Sequence, residues 1–106
     1  MKIINPATAA TIKELRDDTP GDLANKFTLL KKGQSQWSER PLADRLKIIA
    51  QFSALLERHQ ESLAAILTSE TGKPLQQSRN ETGGACTRIQ WMLEHAERYL
   101  SDEWVT

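Results

Sequence analysis

The sequence predicts a mostly α-helical fold, a helical bundle of about four segments behind an extended N-terminal β-arm. Three observations carry that reading. Apolar residues recur three and four positions apart through most of the chain beyond residue 19. Proline, glycine and capping residues cut this pattern into separate stretches. Ahead of it, two short apolar runs flank an Asn-Pro turn signal, as the strands of a hairpin would.

The arm comes first, over residues 1–18. Lys2-Ile3-Ile4 is a short apolar run, Asn5-Pro6 is the turn signal, and residues 11–15 supply a second strand. A lone two-stranded ribbon is marginal in water, so it is expected to lean on another element. Residues 19–106 are then helical. Thr19-Pro20-Gly21-Asp22 combines a capping hydroxyl, a proline suited to the first turn and an acid at the capping-box position. Leu23, Phe27 and Leu30 follow on one face, Gly33 is expected to end this helix, and Trp37 follows as an apolar anchor.

Pro41 opens the next stretch, in which Leu42, Leu46, Ile49, Phe52 and Leu56 keep the helical period. The pattern drifts at Arg58-His59-Gln60 and resumes at Leu63, Ile66 and Leu67, which predicts two helices joined by a tight bend. Gly72 and Pro74 stop the second of them. The last helix carries Thr82, Cys86, Ile89, Leu93, Ala96 and Leu100 as one apolar stripe. Gly83-Gly84 interrupts it at about 1 kcal/mol per glycine. Close packing against a neighbour is the preferred explanation, and room for a ligand is the alternative.

Composition bounds the function. At 106 residues, with 39% hydrophobic and 26% charged residues, the chain is one globular domain or part of a larger one. Fourteen basic and fourteen acidic residues cancel, and Lys31-Lys32 is far from the basic stripe that nucleic acid requires. No apolar run approaches a membrane span. The N-terminus lacks a secretory pattern, and a single cysteine, Cys86, fits a reducing compartment, which points to the cytoplasm.

No complete catalytic centre is visible. Cys86 lies on an apolar stripe, where a structural thiol is the ordinary reading. His59 and His95 have no aspartate at a suggestive spacing, and one cysteine with two scattered histidines makes no zinc pattern. Gly72-Lys73 fails as a phosphate loop, because Leu67 and Pro74 stand where glycine and Ser or Thr belong. Gly83-Gly84 lacks the third glycine and preceding strand of a dinucleotide fingerprint.

Several of these segments, taken in order, resemble the N-terminal region of the aldehyde dehydrogenase superfamily. Asn5-Pro6-Ala7-Thr8 looks like the family's opening turn, which usually continues with glycine where this chain has Ala9. Trp37, Pro41 and Arg45 fall at the family's intervals, and Glu70-Thr71-Gly72-Lys73-Pro74-Leu75 is the most specific match. Glu81 followed by Ile89-Gln90-Trp91-Met92 is most similar to succinate-semialdehyde dehydrogenase-like members. The likeness runs from Asn5 to about Asp102.

The resemblance implies that residues 1–106 are the N-terminal helical part of a larger α/β enzyme using NAD or NADP, with the cofactor and catalytic domains absent. It implies no catalytic and no cofactor-binding residue in this chain, and no NAD(P) binding by the chain alone. Asn80, Glu81 and Gly84 would match the wall of the aldehyde entrance tunnel, with Arg88 one turn on to guide a substrate carboxylate. Glu70, with carbonyls of Ile3 or Ile4, would match a monovalent-cation site in some relatives. Implied partners are the rest of the enzyme chain, an aldehyde and further copies in a homo-oligomer, without nucleic acid or membrane. The ending Ser101-Asp102-Glu103-Trp104-Val105-Thr106 is expected to reflect truncation. The alternative reading is a standalone helical interaction module.

Overall fold

The structure, a computed structural model, describes residues 1–105; Thr106, the last residue of that ending, lies outside them. Two strands, β1 (Lys2–Ile4) and β2 (Thr11–Glu14), precede four helices, α1 (Pro20–Ser38), α2 (Leu42–Arg58), α3 (Gln60–Thr71) and α4 (Leu75–Leu100). The mostly helical chain behind a short ribbon is as the sequence predicts.

β1 and β2 pair antiparallel, Lys2 opposite Glu14 and Ile3 opposite Lys13, with an irregularity before Ile4 opposite Thr11. The N-terminal ammonium donates to the Leu15 carbonyl at 2.8 Å and pairs with Asp17 at 3.2 Å. The turn closes through the Ala9 amide, which donates to the Asn5 carbonyl at 2.8 Å. Ala9 adopts φ 58° there, a left-handed conformation that costs an L-residue with a Cβ about 1–2 kcal/mol. The ribbon leans on the helices through Pro6, whose ring meets Gly72 at the corner between α3 and α4.

Capping is as the sequence predicts at α1. The Asp22 amide donates to the Thr19 hydroxyl at 3.1 Å, and the Asp22 carboxylate accepts from the Thr19 amide at 2.9 Å. The Thr19 hydrogen bonds hold the Asp22 carboxyl below its usual value. Gly33 does not end the helix. α1 runs five residues further to Ser38 with Trp37, half-buried, in its last turn. A single interior glycine costs too little to break a capped helix, whereas the residue before Pro41 is sterically kept out of the helical region.

α2 and α3 share His59 as a joint, at the predicted bend. On α2 the inward line is Leu42, Leu46, Ile49, Ser53 and Leu56, all half-buried, while Phe52 stays 50% exposed. The 3.6-residue period places Ser53 rather than Phe52 on that line, since an apolar neighbour one position away drifts by about 100°. α3 ends at Gly72 with φ 74°, and Pro74 precedes α4. α3 and α4 pack around Ala64 and Ser78, which alone among the described residues lose all solvent contact.

The result is open rather than closed. Its surface of 8856 Å² exceeds the roughly 6,000 Å² of a compact chain of this mass. Its radius of gyration, 18.7 Å, exceeds the about 13 Å expected for this length. α1 buries none of its 19 residues.

Ala9 and Gly72 share a positive φ, which favours glycine at both. A Cβ on Gly72 would sit 2.9 Å from the Pro6 ring, adding a clash to the left-handed cost. Gly72→Ala is expected to destabilise the chain by about 1–2 kcal/mol or more in thermal melts. Ala9→Gly should instead slow hydrogen exchange at the Leu15 amide, which bonds across the ribbon to Met1. An unchanged melt for Gly72→Ala would contradict the corner geometry.

Candidate functional site

The residues expected at a substrate entrance lie between Asn80 and Arg88 on α4, and α3 holds the N-terminal half of that helix in place. The Thr68 and Ser78 hydroxyls share a hydrogen bond of 2.8 Å, and the Gln60 side-chain amide donates to the Arg79 carbonyl at 3.2 Å. Outside these, Arg79 grips Glu61 with a two-pronged pair, Nε to Oε1 at 2.9 Å and a terminal nitrogen to Oε2 at 2.8 Å. These hydrogen bonds lower the Glu61 carboxyl below its usual range and raise the Arg79 guanidinium.

Glu81, Gly84 and Arg88 are three and four residues apart and share one face of α4. Lys73, from the α3–α4 corner, pairs with the Glu81 carboxylate. Asn80 accepts a hydrogen bond from Gln76 at 3.0 Å. Arg88 is exposed and has no ion pair among the described residues. Between the acid and the guanidinium, the two glycines separate in role. A Cβ on Gly83 would meet Gln60 Nε2 at 3.4 Å, so this glycine permits close packing. A Cβ on Gly84 would meet nothing within 4 Å. Of the two readings of the glycine pair, packing therefore describes Gly83 and open space describes Gly84.

The other singled-out residues do not converge. Cys86 lines a cleft of about 470 Å³ with Ser53, Glu57, Trp91 and Glu94, its sulfur 3.9 Å from the Ser53 carbonyl. Neither histidine lines that cleft. His59 sits at the α2–α3 joint, and His95 stacks on Trp91 at 4.4 Å with Nδ1 2.7 Å from the Trp91 carbonyl. Nucleophile and base are therefore not assembled from these groups. Glu70 is exposed on the last turn of α3, at the corner against which Pro6 packs, while Ile3 and Ile4 lie in β1.

Sequence reading missed two features. Lys73 reaches Glu81 across a turn, which no helical spacing announces. The Trp91, His95 and Tyr99 rings stack along α4, and their four-residue spacing was a readable signal. A third group stands out by burial: Arg45 Nε is enclosed without a hydrogen-bond partner.

Comparison with known proteins places these observations. A model described as the aldehyde dehydrogenase family matches residues 1–106. The chain is 27% identical to a 3-sulfolactaldehyde dehydrogenase of Pseudomonas putida, over 94% of this chain and 21% of that protein. It is 29% identical to an NAD(P)+ succinate semialdehyde dehydrogenase of Escherichia coli, over 94% of this chain and 22% of the relative. A malonate-semialdehyde dehydrogenase of Lacticaseibacillus casei is 30% identical over 84% and 18%. The chain thus spans about a fifth of the length of the curated relatives it matches.

The Glu61–Arg79 pair gives α4 an acid-sensitive anchor. Because the folded carboxyl titrates below the ordinary glutamate value of 4.5, the stabilisation is fully present above that value. It is lost as pH falls through the lower, folded value. Both groups are solvent-exposed, so the effect is small. Thermal melts from neutral to acid pH should show Glu61→Gln less stable than the parent near neutrality and converging with it in acid. A constant gap between the two at every pH would contradict the anchor.

Proposed function

Because the chain belongs to the aldehyde dehydrogenase family, we propose that it is the N-terminal helical part of an NAD(P)-dependent enzyme that oxidises an aldehyde, of the semialdehyde class, to its carboxylate. The observation that carries this reading is the match of residues 1–106 to a family whose curated members are about five times longer. Two surface features support it. The surface exceeds that of a self-contained chain, and the large apolar side chains of α1 and of the C-terminal half of α4 stand exposed, as where further polypeptide completes the packing. A standalone interaction module has no comparable support.

The reaction needs an activated nucleophile, a base, an oxyanion site and NAD or NADP as hydride acceptor. This chain assembles none of these together, so its own residues act on access rather than on bond making. Asn80, Glu81 and Gly84 form part of the entrance wall. Lys73 neutralises Glu81, and Gly84 leaves that stretch of the wall open. Arg88 then stands as the cation that meets an incoming anion through a charge-assisted hydrogen bond. The relatives' names agree with such a role: sulfolactaldehyde and the succinate and malonate semialdehydes each pair an aldehyde with an acid group.

Two outcomes test this. The 106-residue chain alone should show neither aldehyde turnover nor NAD(P) binding by calorimetry; micromolar binding would overturn the division of labour. In the complete enzyme carrying this segment, Arg88→Ala should raise KM for a carboxylated aldehyde about two- to fivefold, the range of an exposed ion pair. A neutral aldehyde of similar length should be unaffected. Equal changes for both substrates would make Arg88 an ordinary surface residue.

A further inference from the structure

Lys73 is the least exposed cation in any ion pair among the described residues, its side chain 27% exposed where the next, Arg79, is 38% exposed. The α3–α4 corner fixes its backbone on both sides. Gly72, at φ 74°, lies against the Pro6 ring, and Pro74 keeps the residue before it in extended conformations. From that held position the Lys73 ammonium donates to the Glu81 carboxylate in the second turn of α4.

Along α4 itself Glu81 finds no cation. Its helical neighbours three and four positions away are Gln77, Ser78, Gly84 and Ala85, all uncharged. Arg79 is committed to Glu61 through its two-pronged pair. Arg88 stands seven residues on, about 10.5 Å along the helix. That is about a Debye length at physiological salt, too far to neutralise the acid. The charge of Glu81 is therefore answered by Lys73, and both partners lie in this chain, held by its own corner.

We propose that Lys73 is a positioning residue that sets charge specificity: by holding and neutralising Glu81 it lets an anionic aldehyde pass a wall that the bare acid would repel. The proposal rests on the reading of Asn80, Glu81 and Gly84 as part of the entrance wall. Gly84 lies three residues beyond Glu81, about 4.5 Å along the axis, and a Cβ there would meet nothing within 4 Å. An acid group passing over Gly84 is therefore about one helical turn, roughly 5 Å, from the Glu81 carboxylate. Two like charges that far apart in salt water repel enough to shift an affinity about two- to fourfold. Paired with Lys73, the carboxylate presents no net charge to such a substrate, and a neutral aldehyde is indifferent to either state. Lys73 acts through Glu81 and need not touch the substrate.

Steady-state kinetics of the complete enzyme carrying this segment test it, with succinate semialdehyde as the anionic aldehyde and pentanal as the neutral one. Lys73→Met should raise KM for succinate semialdehyde about two- to fourfold, leaving kcat and the KM for pentanal unchanged. Lys73→Arg keeps the charge and should keep the parent KM. Glu81→Gln added to Lys73→Met should return KM to the parent value, because no bare acid is then left. A rise for both aldehydes, or one that persists in the double variant, would overturn the proposal. So would an unchanged KM in Lys73→Met while Arg88→Ala still separates the two aldehydes. If Arg88→Ala, Lys73→Met and Glu81→Gln all treat the two aldehydes alike, the entrance reading itself fails and the proposal falls with it.

Discussion

Where α3 crosses α4, the side chains that lose all contact with solvent are Ala64 and Ser78. Small residues at a crossing let two helix backbones approach closely, and a hydroxyl placed there must find a partner or leave an unsatisfied buried group. Ser78 finds Thr68 at 2.8 Å. A bulkier residue at either position would hold the helices apart and strain the Gly72 corner that joins them. That corner in turn receives Pro6 and so locates the N-terminal ribbon. It also supplies Lys73 to Glu81 and sets α4 at the angle that lets Gln60 and Glu61 reach Arg79.

Stability therefore diminishes outward from one small contact. α2 joins through a half-buried line along α4, and α1 hangs from the Glu39–Pro41 joint with its ridge in water. A single domain of this length ordinarily buries a larger core, and the chain spans about a fifth of the length of its curated relatives. The candidate entrance lies on the best-anchored element, as residues that must hold a substrate path require. The exposed Leu23, Phe27 and Leu30 ridge lies on the least anchored one, α1.

Much of this was legible in the residues. Thr19, Pro20 and Asp22 announce the start of α1, Gly72 and Pro74 the corner, and Arg58-His59-Gln60 the joint between α2 and α3. Each rests on local chemistry that depends on few neighbours. Gly33 misled because a glycine inside a capped helix and one at its end read alike in sequence. Phe52 misled because its hydrophobicity outweighed a line that Ser53 fits better. Ala9 is informative in the other direction: the family's usual glycine suits the positive φ found there, and this chain keeps the turn without it. The separate roles of Gly83 and Gly84, and the Lys73–Glu81 pair, depend on α3 and the corner, which spacing along α4 cannot show. Substrate identity was not legible, because Cys86, His59 and His95 do not converge on one site that a substrate would have to fit.

Native-state hydrogen exchange tests the central role of the α3–α4 contact most directly. Amides of residues 64–68 and 78–82 are expected to exchange last, with an opening free energy equal to that of global unfolding. Amides of α1 should exchange earlier, through a smaller opening that leaves the corner intact. If the α1 amides outlast those around Ala64 and Ser78, the fold depends on some other contact, and the α3–α4 crossing is not its anchor.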